Sequence, residues 1–90
     1  MNKAELVEEV AAEVGVTKKD VNNVMDAMTA TVADCLARGE KVTLVGFGTF
    51  LTQTRKARRG VNPQTGERIQ ITAKNVPKFR PGRALREAVE

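Results

Sequence analysis

The stretch from Thr52 to Lys74, TQTRKARRGVNPQTGERIQITAK, is strongly basic and has a turn at its centre. Proline fixes φ, glycine supplies φ > 0 and asparagine bonds to its own backbone, so Asn62–Gly66 predicts a turn. From Arg68 to Ala73 polar and apolar residues alternate, which is typical of a strand. Two strands with so little apolar surface are marginal in water on their own. We therefore expect a hairpin arm, at about residues 52–74, that projects from a separate body.

The charge of this arm indicates what it contacts. Its six basic residues stand against one acid, Glu67, which leaves a local net charge of +5. The whole chain divides in the same sense, because residues 1–50 carry a net charge of −3 and residues 51–90 a net charge of +7. Lysine and arginine bind phosphates and displace condensed counterions, so this pattern favours a nucleic-acid groove. The alternative is a solvated surface hairpin. The basic residues of the arm are Arg55, Lys56, Arg58, Arg59, Arg68 and Lys74.

The body that remains beside the arm is small. The 90 residues are enough for one domain, and three phenylalanines supply all of its aromatic bulk. Because so small a core gives little stability to a single chain, we expect an obligate dimer. Cys35 is the only cysteine, so no disulfide can form within the chain.

Composition also argues against several classes of protein. The chain has no histidine, and Cys35 therefore has neither a Cys-His partner nor a zinc-ligand set. We expect no enzyme activity, no cofactor and no metal. Glutamates interrupt every apolar run near the N-terminus, and no stretch is long and apolar enough to span a membrane. We expect a soluble, cytoplasmic protein.

Hydrophobic periodicity predicts an α+β chain with helices at both ends. An apolar stripe at helical spacing, capped by Asn2, predicts a first helix at about 3–14, and a longer stripe capped by Thr17 predicts a second at about 18–38. The expected parts are a helical part (1–40), a sheet with the arm (41–80) and a C-terminal helix (81–90). Strands are predicted at about 41–45, 49–59, 67–73 and 76–80, a tight turn at 46–48, and a last helix at about 83–89.

Several of these segments together resemble the bacterial HU/IHF histone-like proteins. The resemblance covers essentially the whole chain, and its fixed spacing makes it specific. The segments are Met1-Asn2-Lys3, Gly39-Glu40-Lys41-Val42, Gly46-Phe47-Gly48-Thr49-Phe50, then Arg55, Arg58 and Gly60, then Asn62-Pro63-Gln64-Thr65-Gly66, and Val76-Pro77-Lys78-Phe79-Arg80-Pro81-Gly82.

The resemblance implies an intertwined dimer with a helical base, a β-saddle and two arms that wrap the DNA minor groove. In such a protein the proline at each arm tip, here Pro63, wedges between base pairs and bends the duplex. We accordingly expect a nucleoid protein that bends and compacts double-stranded DNA with little sequence preference, and that favours bent, nicked or gapped DNA. The residues implied to contact DNA are Lys3, Lys18, Arg55, Arg58, Arg59, Asn62, Pro63, Arg68, Lys74, Arg80, Arg83 and Arg86.

Two departures from the family pattern leave alternatives open. Val61 stands where such arms commonly carry a basic residue, which removes one expected DNA contact. Ile71-Thr72-Ala73 replaces a common Ile-Pro-Ala and resembles the integration host factor side of the family. The chain could thus be a site-preferring subunit that needs a different partner chain in a heterodimer. In another class, it could be chiefly an RNA-binding module.

Overall fold

The computed structural model describes residues 1–55, 58–61, 66, 68–71 and 74–90. Helices and strands alternate by region, which confirms the predicted α+β class. Two compact units, Met1–Asp34 and Cys35–Glu90, make up the chain. The elements are α1 (Lys3–Val14), α2 (Lys18–Ala37), β1 (Val42–Leu44), β2 (Gly48–Arg55), β3 (Arg58–Val61), β4 (Arg68–Ile71), β5 (Lys74–Pro81) and α3 (Arg83–Val89).

The first unit is a pair of helices whose ends lie where the sequence predicts them. The Oδ1 atom of Asn2 accepts a hydrogen bond from the backbone N–H of Glu5 (2.9 Å), and the Oγ1 atom of Thr17 accepts one from the N–H of Asp20 (3.1 Å). Each bond satisfies one of the free N–H groups at a helix start. Gly15 ends α1 in the left-handed region, with φ of 79°. This conformation strains other residues, which is why a glycine ends the helix here.

Apolar contact between α1 and α2 forms a small core in the first unit. Val7 and Ala11 of α1 pack with Val21 of α2, and these are the three buried hydrophobic residues of the described part of the chain. Val10 and Met25 are partly buried against them. Much of the apolar stripe of α2 lies outside this core, since Val24 and Met28 remain exposed.

The second unit contains a three-stranded antiparallel sheet in the order β1-β2-β5. Its longest pairing joins β2 to β5, from Gly48 opposite Pro81 to Arg55 opposite Lys74. β5 lies at the edge of the sheet, where the missing N–H groups of Pro77 and Pro81 break no central ladder. A separate two-stranded sheet pairs β3 with β4.

One face of the three-stranded sheet is aromatic. The ring of Phe79 on β5 lies 4.9 Å from the ring of Phe50 and 5.6 Å from that of Phe47, measured between centroids. Gly48 is buried beneath Phe79, and a Cβ atom added there would stand 2.5 Å from the Cζ atom of that ring. The cluster therefore requires a residue without a side chain at position 48.

Backbone and side-chain hydrogen bonds attach the helical segments of this unit to the sheet. The N–H of Gly82 donates to the carbonyl oxygen of Phe47 (2.7 Å), and the N–H of Leu85 donates to that of Gly46 (3.2 Å), so the start of α3 is fixed on the turn between β1 and β2. Thr52 donates from its Oγ1 to the carbonyl oxygen of Leu36 at the end of α2 (2.9 Å).

The strand boundaries differ from those predicted. The outbound strand predicted at 49–59 is two strands, because β2 ends at Arg55 and β3 begins at Arg58. The final strand predicted at 76–80 begins at Lys74, and it pairs with β2 up to Arg55. The β-branched and polar residues on both sides of these ends have the same strand preference, so composition alone does not mark the point where pairing stops.

Gly48→Ala is expected to destabilise the protein by about 1–3 kcal/mol, because the added methyl group must displace Phe79 or the Arg80 carbonyl oxygen, which would lie 2.7 Å away. Urea unfolding at one fixed protein concentration measures the change. Gln53→Ala, at an exposed position of the same strand, is the control and should change stability by less than about 0.5 kcal/mol. Equal effects of the two substitutions would contradict the packing argument.

Candidate nucleic-acid interface

The β3–β4 hairpin carries part of the predicted arm. Its antiparallel register sets Arg58 opposite Ile71, Arg59 opposite Gln70 and Val61 opposite Arg68. The backbone thus brings basic residues of both strands into one two-stranded ribbon, with Arg58 and Arg59 on the first strand and Arg68 on the second. Arg55 lies at the end of β2, opposite Lys74 of β5.

The tip of this arm is described at Gly66 alone. Gly66 has φ of 71°, the left-handed conformation that the turn prediction requires of it. The predicted wedge, Pro63, and the predicted turn residue Asn62 lie outside the described residues, as do Lys56 and Glu67. Their roles remain predictions.

The second group of predicted contacts lies on β5, on the face opposite the aromatic cluster. Successive side chains of a strand point to opposite faces, so with Phe79 against Phe50, Arg80 lies on the other face. Arg80 stands opposite Thr49, and both Arg80 and Lys74 are exposed. Neither makes an ion pair with the residues that the structure describes.

The third group stands at the first residue of each helix, and all three of its cations are paired with carboxylates of the same chain. Lys3 pairs with Asp26, the Nζ atom of Lys18 lies 3.8 Å from Glu8, and the Nε atom of Arg83 donates to Glu87 at 2.9 Å. These pairs are exposed, so each contributes at most about 1 kcal/mol and can exchange its carboxylate for a phosphate. Arg86 follows Arg83 by three residues on α3 and is exposed.

Lys78 was missed in the prediction of contacts. It lies on β5 two residues before Arg80, opposite Leu51, and is exposed. The sequence carried a usable signal, because residues two apart in a strand share a face. Once Phe79 is assigned to the core, Lys78 and Arg80 must both lie on the outer face.

Two further observations concern other classes of site. Within the described ranges, no three histidine, cysteine, aspartate or glutamate side chains come together as metal ligands. None of the described helices combines the length and the apolar character that crossing a membrane requires.

Comparison of the sequence with known proteins gives matches along its whole length. Residues 1–90 match the model of the family described as Bacterial DNA-binding protein. The DNA-binding protein HU of Lactococcus lactis is 54% identical over 89 residues, which are 99% of this chain and 98% of that protein. The protein of the same name from Geobacillus stearothermophilus is 48% identical over 90 residues and matches from end to end.

Solved structures with the same fold include a DNA complex. The HU chain of an Anabaena HU–DNA cocrystal superposes with a TM-score of 0.88 at 48% identity, covering 99% of this chain and 97% of that one. HU from Thermotoga maritima superposes with a TM-score of 0.71 at 38% identity over the full length of both chains.

Asp26→Asn is expected to strengthen binding to duplex DNA by about two- to fivefold for each Lys3 that contacts it, since Lys3 no longer has to leave a carboxylate. Fluorescence anisotropy at low salt measures the affinity. Asp34→Asn is the matched control, because it removes the same charge from α2 at an exposed residue that makes no ion pair with the described residues. If both variants gain equally, overall charge and not the release of Lys3 explains the gain.

Proposed function

The chain belongs to the family of bacterial DNA-binding proteins, and we propose that it binds double-stranded DNA as a histone-like protein with little sequence preference. The observation that carries the proposal is the likeness of nearly the whole fold to a relative crystallised on DNA. The charge of the chain supports it, because residues 51–90 combine a net charge of +7 with the arm and β5.

The arms are proposed to enter the minor groove and to bend the duplex. Arg55, Arg58, Arg59 and Arg68 are assigned to phosphates or the groove floor, and Lys74 to the base of the arm. Pro63 is proposed as the wedge between base pairs, with Asn62 shaping its turn; a ring that is apolar and lacks an N–H leaves no polar group unsatisfied in the stack.

Contacts on the body are proposed to hold the DNA on either side of this bend. Lys3, Lys18, Arg80, Arg83 and Arg86 supply the charge. Lys3 and Lys18 stand at helix starts, where backbone N–H groups also favour phosphate. Such binding depends on counterion release and falls steeply with salt. Since bending takes free energy, the protein should prefer DNA that is already bent, nicked or gapped. This activity assigns it to the bacterial nucleoid.

A homodimer is proposed as the active form. The buried core of the described residues consists of Val7, Ala11 and Val21, which is too little to stabilise a chain of this size. Large apolar side chains of both units remain outside that core: Met28 is 48% exposed, Val24 67% and Phe47 48%. Apolar surface of this extent marks a protein interface, and a second copy of the chain is the occupant we propose.

The function is tested by binding to three labelled duplexes at several salt concentrations. Two duplexes are intact and unrelated in sequence, the third is nicked, and unlabelled double-stranded RNA serves as competitor. We expect similar affinity for the intact pair, tighter binding to the nicked duplex and a steep loss with salt. A large difference between the intact duplexes would instead support a site-preferring subunit. Preferential competition by RNA, or no binding at low salt, would overturn the proposal.

Met28→Lys is expected to shift the protein from dimer to monomer or to unfold it, because it places a charge in the proposed interface. Sedimentation equilibrium measures the mass, and circular dichroism measures helix content. Ala30→Lys, two residues further along α2 and exposed on its opposite side, is the control and should leave the dimer intact. A Met28→Lys protein that remains a dimer of wild-type stability would remove this surface from the interface.

A further inference from the structure

Lys78 lies where it can contact DNA independently of the arm. The rings of Phe50 and Phe47 hold Phe79 on one face of β5, at 4.9 and 5.6 Å between centroids. Strand alternation then places Lys78 and Arg80 together on the opposite face. Their Cα atoms are two residues apart, or about 7 Å along an extended strand, which is far enough for each to contact a different phosphate.

The surroundings of Lys78 on this face are polar. Thr49 lies opposite Arg80 on β2, and its Oγ1 atom is 3.3 Å from the Oγ1 atom of Thr43 on β1. Gln53 continues the same face of β2 and is exposed. Hydroxyl and amide groups of this kind can donate hydrogen bonds to phosphate oxygens beside the two cations.

The charge of Lys78 is also available without exchange. Lys3, Lys18 and Arg83 each pair with a carboxylate of their own chain. Lys78 is exposed and makes no ion pair with the described residues. A phosphate that binds there has no internal competitor, so the full counterion release of one contact should appear in the measured affinity.

We propose that Lys78 is a phosphate-contacting residue which, with Arg80, forms a basic row on the outer face of the β1-β2-β5 sheet. The inference rests on the proposed binding of double-stranded DNA. Since phosphates carry no base identity, the row adds affinity that is equal for all sequences. It acts on the DNA between the arms and contributes to binding more than to the wedge at the arm tip.

The test compares Lys78→Gln with the wild type on one intact duplex from 50 to 200 mM salt. Loss of one phosphate contact lowers the slope of log affinity against log salt by about 0.9 for each Lys78 that contacts DNA. The advantage of the wild type should therefore shrink about threefold over this range for one contact, or about tenfold for two in a dimer. Lys78→Arg keeps the charge and should retain the wild-type slope. Lys19→Gln, which removes a charge from an exposed residue of α2 outside the proposed contacts, should also leave the slope unchanged.

A second readout separates the row from the arm. Energy transfer between dyes at the ends of the bound duplex reports the bend. At saturating protein we expect Lys78→Gln to keep the wild-type bend, while Pro63→Ala reduces it. A Lys78→Gln slope equal to that of the wild type, or equal losses for Lys78→Gln and Lys19→Gln, would overturn the role of Lys78 alone. If the wild type fails to bind duplex DNA at low salt, the proposed function itself fails.

Discussion

The contact of Phe79 with Phe50 and Phe47 decides how the second unit is arranged. Because β5 is an edge strand, nothing on its free side fixes which way its residues face. The ring contacts at 4.9 and 5.6 Å supply that constraint. A slip of one residue in the pairing with β2 would exchange the two faces, burying cations and exposing Phe79. The same contacts that form the apolar face therefore also determine where positive charge lies.

The close approach at Gly48 and Gly82 extends this constraint to α3. Gly48 allows Phe79 to lie directly over β2, and a Cβ atom on Gly82 would stand 2.8 Å from the carbonyl oxygen of Gly46. With the backbone of Gly82 and Leu85 bonded to the turn between β1 and β2, the position of α3 is tied to the sheet. Arg83 and Arg86 are thus carried on a short helix that its neighbours hold in place, which its own seven residues would not achieve.

Sequence reasoning succeeded where a single residue determines the local geometry. Asn2 and Thr17 cap helices because their side-chain oxygens reach the free N–H groups, and Gly15 and Gly66 take up positive φ that other residues resist. It was less accurate for strand ends, where pairing between β2 and β5 and not composition decides that Lys74 belongs to the sheet of the body. Lys78 was overlooked because its role depends on which face Phe79 occupies, a property of the packed sheet.

Ion pairs divide the candidate DNA contacts into two kinds. At Lys3, Lys18 and Arg83, a bound phosphate replaces a carboxylate, so part of the attraction is offset by the pair that is lost. At Lys78 and Arg80 no such exchange is needed among the described residues. The chain has a net charge of only +4, yet its acids lie mostly in residues 1–50, where they restrain the cations at the helix starts and leave those of the sheet unopposed. The sheet should therefore hold DNA at salt concentrations at which the helix starts have already returned to their carboxylates.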